Sequence, residues 1–171
     1  MKQLIDIDAQ SVLRNFAGYP VVLVSTRDNV LTIAQVHYFS FRPLTLGIGV
    51  HRKRHSYGLI ENEGEFVVNV PTVEQIEAVK ACGELSGRDG DKFSRVGLTP
   101  VPASKVEACL ITECPVSIEC RVIERVDLPL RTWFIGEVVA AHRADDFDPS
   151  ENLYCSRTHY RRIGDILAPR R

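Results

Sequence analysis

The stretch PVSIECRVIERV, residues Pro115–Val126, alternates apolar and polar side chains along most of its length. The apolar set is Val116, Ile118, Cys120 and Val122, and the polar set is Ser117, Glu119 and Arg121. A period of two residues is typical of a β-strand, because successive side chains of a strand lie on opposite faces. The stretch therefore predicts a strand that buries one face.

Other segments on both sides of this stretch have the composition of strands. They are Val21–Thr26, the run from Val30, Leu44–Val50, Glu65–Val70 and Thr132–His142. The turn-like residues 27–29 predict a hairpin between the first two. Thr132–His142 is long and apolar, which predicts cover on both faces.

Two short helices are predicted between these strands. His55–Asn62 has helical spacing of its apolar residues, and Thr72 with Gln75 forms a capping box for a helix that ends near Cys82. Gly83 is expected to close that helix in the left-handed conformation. Strands dominate and do not alternate with helices, so we expect a mainly β protein with an antiparallel barrel rather than a parallel Rossmann sheet.

Composition limits the classes of protein that fit. The 171 residues, 44% of them hydrophobic, suit one domain over 1–171, and a net charge of −1 argues against nucleic acid as a partner. We find no secretory or membrane-spanning segment and expect a cytoplasmic protein that does not bind membranes. The five cysteines have no spacing typical of zinc, so we expect free thiols and no metal site.

The first candidate binding segment is TIAQVHYFSFRP, residues Thr32–Pro43. It begins as a strand and then mixes hydroxyl groups and an imidazole with aromatic rings. Backbone groups and a few polar side chains along an apolar wall suit a flat heteroaromatic ring with a polar edge. The alternative is a strand that leads into a partly buried loop.

The second candidate is HRKRHS, residues His51–Ser56. Arg52, Lys53 or Arg54 can supply positive charge, and Ser56 at a helix N-cap can supply a directed hydrogen bond, so the segment suits a phosphate group. The alternative is a solvated basic loop.

The third candidate is CGELSGRDGDKF, residues Cys82–Phe93, a polar loop after the predicted helix. Ser86, Gly87 and Arg88 can approach a ligand there, and Lys92 can bind an anion. An ordinary surface loop is the alternative. The sequence has no G-x-S-x-G or H-E-x-x-H motif and no obvious catalytic triad, which fits a protein whose cofactor carries the reaction.

Several segments, taken together in this order, resemble the flavin reductase-like family of FMN-binding proteins. They are EFVVNVP (Glu65–Pro71), SGRDGDKF (Ser86–Phe93) followed by GLTP (Gly97–Pro100), ECP with its strand (Glu113–Arg121) and FIGEVV (Phe134–Val139). The resemblance extends over Gly18–Gly164. It implies a split β-barrel that binds FMN near the two-fold axis of a homodimer.

The resemblance also implies which residues bind the cofactor. The isoalloxazine ring would lie against Thr32, Ala34, Gln35, Val36 and His37. The phosphate would bind at Arg52, Lys53 and Ser56, and the loop with Ser86, Gly87 and Lys92 would close over the cofactor. No catalytic side chain is implied, because the hydride step takes place at N5 of the flavin.

The implied activity is transfer of hydride from NADH or NADPH to FMN, with electrons passed on to free flavin, oxygen or a partner monooxygenase. The family commonly has Asn, or Pro with Ser, near Ala34 and Gln35, and a histidine at the position of Arg131. A guanidinium there favours an anionic group. Arg131 and the basic C-terminal tail (Arg161, Arg162, Arg170 and Arg171) favour an alternative, a flavoredoxin-like FMN electron carrier with no nicotinamide site. A barrel that has lost flavin is the third possibility.

The implied dimer needs an apolar flank near the cofactor. Trp133, Phe134 and the region Tyr154–Tyr160 are the candidates, although Phe134 also suits the core.

Overall fold

The computed structural model describes residues 4, 6–8, 12–13, 15–156 and 158–164. In chain order its strands are β1 Tyr19–Pro20, β2 Val22–Ser25, β3 Val30–Ile33, β4 Val36–Phe41, β5 Leu44–His51, β6 Glu65–Val70, β7 Pro100–Val101, β8 Leu110–Ile111, β9 Val116–Asp127, β10 Arg131–Arg143, β11 Leu153–Cys155 and β12 Tyr160–Arg162. The α-helices in the same part of the chain are α1 His55–Glu63, α2 Ile76–Glu84 and α3 Lys92–Val96. Short 3₁₀ turns occur at Val73–Gln75, Gly87–Asp89 and Pro149–Glu151.

The described residues form a seven-stranded antiparallel sheet in the order β3-β2-β6-β9-β10-β5-β4. Two smaller sheets have the orders β1-β11-β12 and β7-β8. The prediction of a mainly β protein with antiparallel strands is therefore confirmed. Neighbours along the chain pair in the β2–β3, β4–β5 and β9–β10 hairpins, and the β2–β3 hairpin is the one predicted around residues 27–29.

Strand β2 lies between two hydrophobic clusters, one inside the large sheet and one under the helices. Val22 and Val24 on one face pack in a cluster with Ile48, Phe66 and Phe134 inside the large sheet. On the opposite face, Val21 and Leu23 join a second cluster that contains Val79 of α2 and Phe93 of α3. Strand β2 is buried on both faces, so α2 and α3 are held against one flank of the sheet.

Several local predictions are confirmed. The capping box is present, since the Thr72 backbone N–H donates to Gln75 Oε1 at 2.9 Å and the Thr72 hydroxyl accepts from the backbone N–H of Glu74 at 3.3 Å. Phe134 is fully buried and belongs to the core rather than to an exposed flank. The five cysteines, all among the described residues, are free, and burial raises the pKa of the Cys82 and Cys109 thiols to about 11.

Three local predictions are wrong. Ser56 is not an N-cap, because α1 begins after Arg54 and Ser56 is its second residue. Gly83 does not close α2 in the left-handed conformation, since the helix runs to Glu84 and Leu85 is extended. Strand β10 is fully buried on one face only, with Thr132, Phe134 and Gly136 buried and the residues between them half-buried. No helix in the described part of the chain is long and apolar enough to cross a membrane.

Gly136 provides a test of the packing between β10 and the strands beside it. A Cβ atom at this position would lie 2.8 Å from Cys120 Cβ and 2.9 Å from Phe66 Cζ. Because a close-packed core does not absorb an extra methyl group, we expect Gly136→Ala to lower the free energy of unfolding by about 1–3 kcal/mol. Urea unfolding followed by circular dichroism measures the change.

Gly58 is the matched control for this substitution. It lies in α1, and apart from its chain neighbours and the backbone of its own helix no described atom is within 4 Å of the position its Cβ would take. Gly58→Ala is expected to raise the free energy of unfolding by about 0.5–1 kcal/mol, because alanine is the better helix former. Equal stability of Gly136→Ala and the wild type would contradict the packing around β10 described above.

Candidate functional site

Two adjoining cavities lie where the end of β3, the end of β5 and the helices meet. We call the larger one the wide cleft; its volume is about 500 Å³ and its walls are formed by residues 31–35, residues 49–51, Arg54, Arg131 and residues 155–156, with Leu13 and Tyr19. The smaller one, the narrow pocket, has a volume of about 160 Å³ and is lined by Asn29, residues 31–32, 53–56 and 82–88, and Lys92. Leu31, Thr32 and Arg54 line both, so the two cavities share a boundary.

The narrow pocket is rich in positive charge. Among the residues that the structure describes, Lys53, Arg54, Arg88 and Lys92 line it, together with one carboxylate, that of Glu84. An anion in this pocket would therefore meet an excess of cationic side chains. The arrangement can bind a phosphate group.

Two of these cations are fixed by the C-terminal end of α2. Lys92 Nζ donates to the carbonyl oxygen of Cys82 at 2.7 Å, and Arg54 Nη1 donates to that of Gly83 at 3.0 Å. The last carbonyl groups of a helix have no partner within the helix. The two cations supply partners here, which is why α2 ends without the left-handed glycine that the sequence predicts.

Lys92 is the most deeply buried of the charged groups in the pocket. It is only 3% exposed, and burial lowers the pKa of its ammonium group, as do Arg54 and Arg95, while the Cys82 thiol raises it. An ammonium group has three N–H donors. One is bonded to Cys82, so two are left for a ligand.

Asn29 supplies a second buried polar group that lacks a full set of partners. Its side chain is 2% exposed, and Nδ2 donates to Ser56 Oγ at 2.6 Å. Among the described residues, Oδ1 has no hydrogen-bond partner. Rotating the amide by 180° would pair the oxygen with the Ser56 hydroxyl and leave the NH₂ group unpaired instead. Either way one buried amide atom beside the pocket lacks a partner, as expected where a polar ligand binds.

Gly87 leaves the space that this amide occupies. A Cβ atom at Gly87 would overlap Asn29 Oδ1, so a larger residue would displace the amide. The preceding Ser86 hydroxyl accepts from the Arg88 backbone N–H at 3.2 Å and caps the 3₁₀ turn. The loop after α2 is therefore ordered by its own hydrogen bonds at the edge of the pocket.

The sequence-predicted residues divide into those that line the cavities and those that do not. Thr32, Ala34 and Gln35 line the wide cleft, and Thr32, Lys53, Ser56, Ser86, Gly87 and Lys92 line the narrow pocket. Val36 and His37 line neither, because they enter β4, where Val36 packs on the core and His37 stacks edge-on against Tyr38. Arg52 also lines neither and forms an ion pair with Asp127 at 3.2 Å.

Sequence reasoning missed Asn29 and His51 and put too little weight on Arg54. Asn29 was assigned only to a turn, since nothing local shows that it reaches Ser56, 27 residues away. His51 gave a partial signal as the first residue of the basic segment. It lines the wide cleft, and its Nδ1 accepts from the Lys53 backbone N–H at 3.1 Å.

Comparison with known proteins places this geometry in a family. The chain is 37% identical over 129 residues to an uncharacterized protein of Archaeoglobus fulgidus, covering 75% of this chain and 73% of that one. Its fold is similar to that of flavoredoxin from Desulfovibrio vulgaris (TM-score 0.88, 24% identity, 99% of this chain and 97% of that one). It is also similar to the fold of an NADH:FAD oxidoreductase from Streptomyces globisporus (TM-score 0.83, 20% identity, 96% and 99%). The likeness to a protein with a split barrel domain from Shewanella frigidimarina (TM-score 0.85, 20% identity, 94% of this chain and 89% of that one) confirms the predicted split barrel. The family model of the flavin reductase like domain matches residues 13–164, and the chain belongs to that family.

Proposed function

We propose that the protein is an FMN-binding oxidoreductase that takes hydride from NADH or NADPH and passes electrons to free flavin, oxygen or a partner protein such as a monooxygenase. The observation that carries the proposal is the pair of adjoining cavities. FMN consists of a flat ring, a polyhydroxylated chain and a phosphate, and the cavities offer a wide space with both apolar and polar walls joined to a small cationic one.

The narrow pocket suits the phosphate of FMN. A phosphate monoester has about two negative charges at neutral pH. Lys92 has two free N–H donors, and Lys53 and Arg88 add charge. The amide of Asn29 would offer its NH₂ group to the phosphate once it is turned so that Oδ1 accepts from the Ser56 hydroxyl. A phosphate would compensate the buried charge of Lys92 and at the same time satisfy several buried donors.

The wide cleft suits the ring. Ala34 and Gly49 are small residues on its walls, and the Gly49 backbone N–H donates to the Gln35 carbonyl oxygen at 2.8 Å. A Cβ atom at Gly49 would lie 2.6 Å from Gln35 Oε1, so the glycine also leaves room for the Gln35 side chain. Bound FMN would supply the two-electron chemistry, and the chain would orient its ring and exclude water from one side of it.

A flavoredoxin-like electron carrier is the second candidate function. The similarity of the fold to that of flavoredoxin supports it. Arg131 also supports it, because its guanidinium places a positive charge on the wall of the wide cleft, where a nicotinamide ring would need an uncharged surface. Arg161 and Arg162 lie on β12, whereas Arg170 and Arg171 lie outside the described residues.

Stopped-flow mixing with NADH and with NADPH separates the two functions. The proposed oxidoreductase should lose its flavin absorbance within seconds with at least one nucleotide. An FMN-loaded protein that neither nucleotide bleaches, but that dithionite does, would be a carrier. Purified protein that has no yellow absorbance and gains none with added FMN would contradict both functions.

Lys53→Gln tests the position of the phosphate. Lys53 is exposed and lines the narrow pocket, so its removal should weaken FMN binding by about fivefold while riboflavin, which has no phosphate, binds as before. Quenching of flavin fluorescence measures both affinities. Lys105→Gln, an exposed lysine on the loop between β7 and β8, is the control and should change neither. Equal losses for FMN and riboflavin would mean that the phosphate binds elsewhere.

A homodimer is the second part of this proposal. Strand β4 is an edge strand of the large sheet and exposes Tyr38, Phe39 and Phe41, the last of them 72% exposed. Phe39 contacts the half-buried Trp133 of β10 in an edge-on geometry, which extends the apolar surface across β5. An exposed apolar edge strand of this kind is typical of an interface. Sedimentation of the FMN-loaded protein as a monomer at micromolar concentration would contradict the dimer.

A further inference from the structure

We infer that Arg131 and His51 form an anion site in the wide cleft, which binds the carboxylate or phosphate group of a second ligand beside the flavin. The inference rests on the proposed function for the position of the flavin. The two side chains lie outside the narrow pocket. An anion site formed by them would make the wide cleft selective for a ligand with a negatively charged group.

The sheet brings these two side chains together. Arg131 is the first residue of β10 and lies directly opposite His51, the last residue of β5, in the antiparallel register. Side chains of directly opposite residues share a face of the sheet, with Cβ atoms about 5 Å apart. Both residues line the wide cleft, so one ligand group can contact both.

Arg131 is half-buried and has no hydrogen bond or ion pair from its guanidinium to any other described residue. Its neighbours differ in this respect, since Arg52 pairs with Asp127 at 3.2 Å and Arg125 pairs with Glu61 at 2.7 Å. A partly desolvated guanidinium without a partner is unfavourable unless an anion binds to it. Five N–H donors in a planar fork match the two oxygens of a carboxylate or phosphate.

His51 adds a neutral donor to the same place. Its Nδ1 accepts a hydrogen bond from the Lys53 backbone N–H, so the proton of the neutral ring is on Nε2. The described residues that line the wide cleft include the cations Arg54 and Arg131 and no carboxylate. Arg54 also lines the narrow pocket and donates one N–H to Gly83 there, whereas Arg131 lines the wide cleft and not the narrow pocket.

Two sources of such an anionic group are chemically reasonable. One is the carboxylate of a small planar electron acceptor, and the other is a phosphate of the nicotinamide nucleotide. Both present oxygen pairs to a guanidinium, so the chemistry of recognition is shared. The two sources are distinguished by ligand pairs that differ only in the charged group.

The experiment compares FMN-loaded wild type with Arg131→Gln and Arg131→Lys by isothermal titration calorimetry. The carboxylate pair is benzoate and benzamide, and the nucleotide pair is nicotinamide mononucleotide and nicotinamide riboside in their oxidised forms, neither of which reduces oxidised flavin. We expect Arg131→Gln to weaken binding of the member with the anionic group by about tenfold or more in one pair and to leave the member without that group unchanged. Arg131→Lys should retain part of the affinity, because it keeps the charge but not the fork.

Arg143→Gln is the matched control, since Arg143 is an exposed arginine at the opposite end of β10. It should change none of the four affinities. Thermal melting of each variant verifies that it folds. The pair that responds to Arg131→Gln identifies the source of the anion.

Unchanged affinities of Arg131→Gln for benzoate and for nicotinamide mononucleotide would overturn the inference. Failure of the proposed function has a different signature, because it shows as no binding of FMN or no reduction by a nucleotide. The same titrations on flavin-free protein then decide the anion site separately. Discrimination between benzoate and benzamide that depends on Arg131 would support it there as well.

Discussion

Replacing Glu119 by glutamine is expected to lower the free energy of unfolding by about 2–3 kcal/mol at neutral pH. Glu119 lies on β9 and is 0% exposed. Its carboxylate accepts hydrogen bonds from the Ser104 backbone N–H and hydroxyl at 2.9 and 2.7 Å, from the Lys105 backbone N–H at 2.6 Å and from His142 Nε2 at 2.6 Å. Glutamine has the same shape but lacks the charge that these four donors stabilise.

The pH dependence of stability gives a second value for the contribution of the Glu119 carboxylate to the free energy of unfolding. Burial raises the pKa of Glu119, but the hydrogen bonds from His142, Ser104 and Lys105 outweigh it and lower the pKa from 4.5 to about 2. A carboxyl group with a lowered pKa in the folded protein stabilises the fold above pH 4.5, and that contribution is lost as the pH falls towards 2. This lowering of the pKa corresponds to about 3 kcal/mol of stability. The partial exposure of His142 to solvent makes the contribution somewhat smaller.

Urea unfolding of wild type and Glu119→Gln at pH 7, 4.5 and 3 measures both effects. The two proteins should differ most at pH 7 and converge as the pH falls. Glu137→Gln is the matched control, because Glu137 is exposed on the adjacent strand β10 and its change should stay within about 0.5 kcal/mol. A Glu119→Gln protein as stable as this control at pH 7 would show that the loop at residues 104–105 does not depend on the buried carboxylate.

The strands were predictable because their signal is local. The alternation in β9 indicates a strand, and the capping box at Thr72 lies within four residues, so both can be identified without knowing the fold. The pattern does not show that Ser117 and Glu119, on the polar face of β9, are buried. The positive charge of the segment around Lys53 is also a local feature, because the adjacent basic residues can be identified directly in the sequence.

The details of the site were not predictable, because they depend on contacts between distant residues. Ser56 looks like a helix cap in sequence, yet its hydroxyl is bonded to the amide of Asn29. Gly83 looks like a helix terminator, yet Arg54 and Lys92 satisfy the carbonyl groups that a left-handed glycine usually serves. Val36 and His37 follow the predicted ring-binding residues in sequence, but β4 pairs with β5 from Val36 onwards and carries them away from the cleft.

Replacing Lys92 by methionine is expected to weaken FMN binding by about a hundredfold. The ammonium group is 3% exposed, donates to the Cys82 carbonyl oxygen and has two donors left for the phosphate. Each charge-assisted hydrogen bond in a desolvated site contributes about 1.5–3 kcal/mol, and methionine can supply neither of them. Riboflavin lacks the phosphate, so its affinity should change little.

The flavin-free protein should respond in a different way. Burial lowers the pKa of Lys92, so the unfolded chain holds this proton more tightly than the folded chain. The resulting destabilisation is fully present below the folded pKa and is lost as the pH rises towards 10.5. Methionine removes that cost but leaves the Cys82 carbonyl oxygen without its partner, so the stability at pH 7 should change by no more than about 1 kcal/mol.

Fluorescence titration with FMN and riboflavin, together with urea unfolding without flavin, measures both outcomes for Lys92→Met. Lys80→Met is the control, because Lys80 lies on the exposed side of α2 and pairs with Glu77 at 2.7 Å. It should leave the affinity for FMN unchanged. If Lys92→Met bound FMN as well as this control, the buried ammonium would be a structural partner of α2 only, and the phosphate would bind outside the narrow pocket. A hundredfold loss with an intact fold would mean that the chain retains a buried charge at the end of α2 for the sake of its ligand.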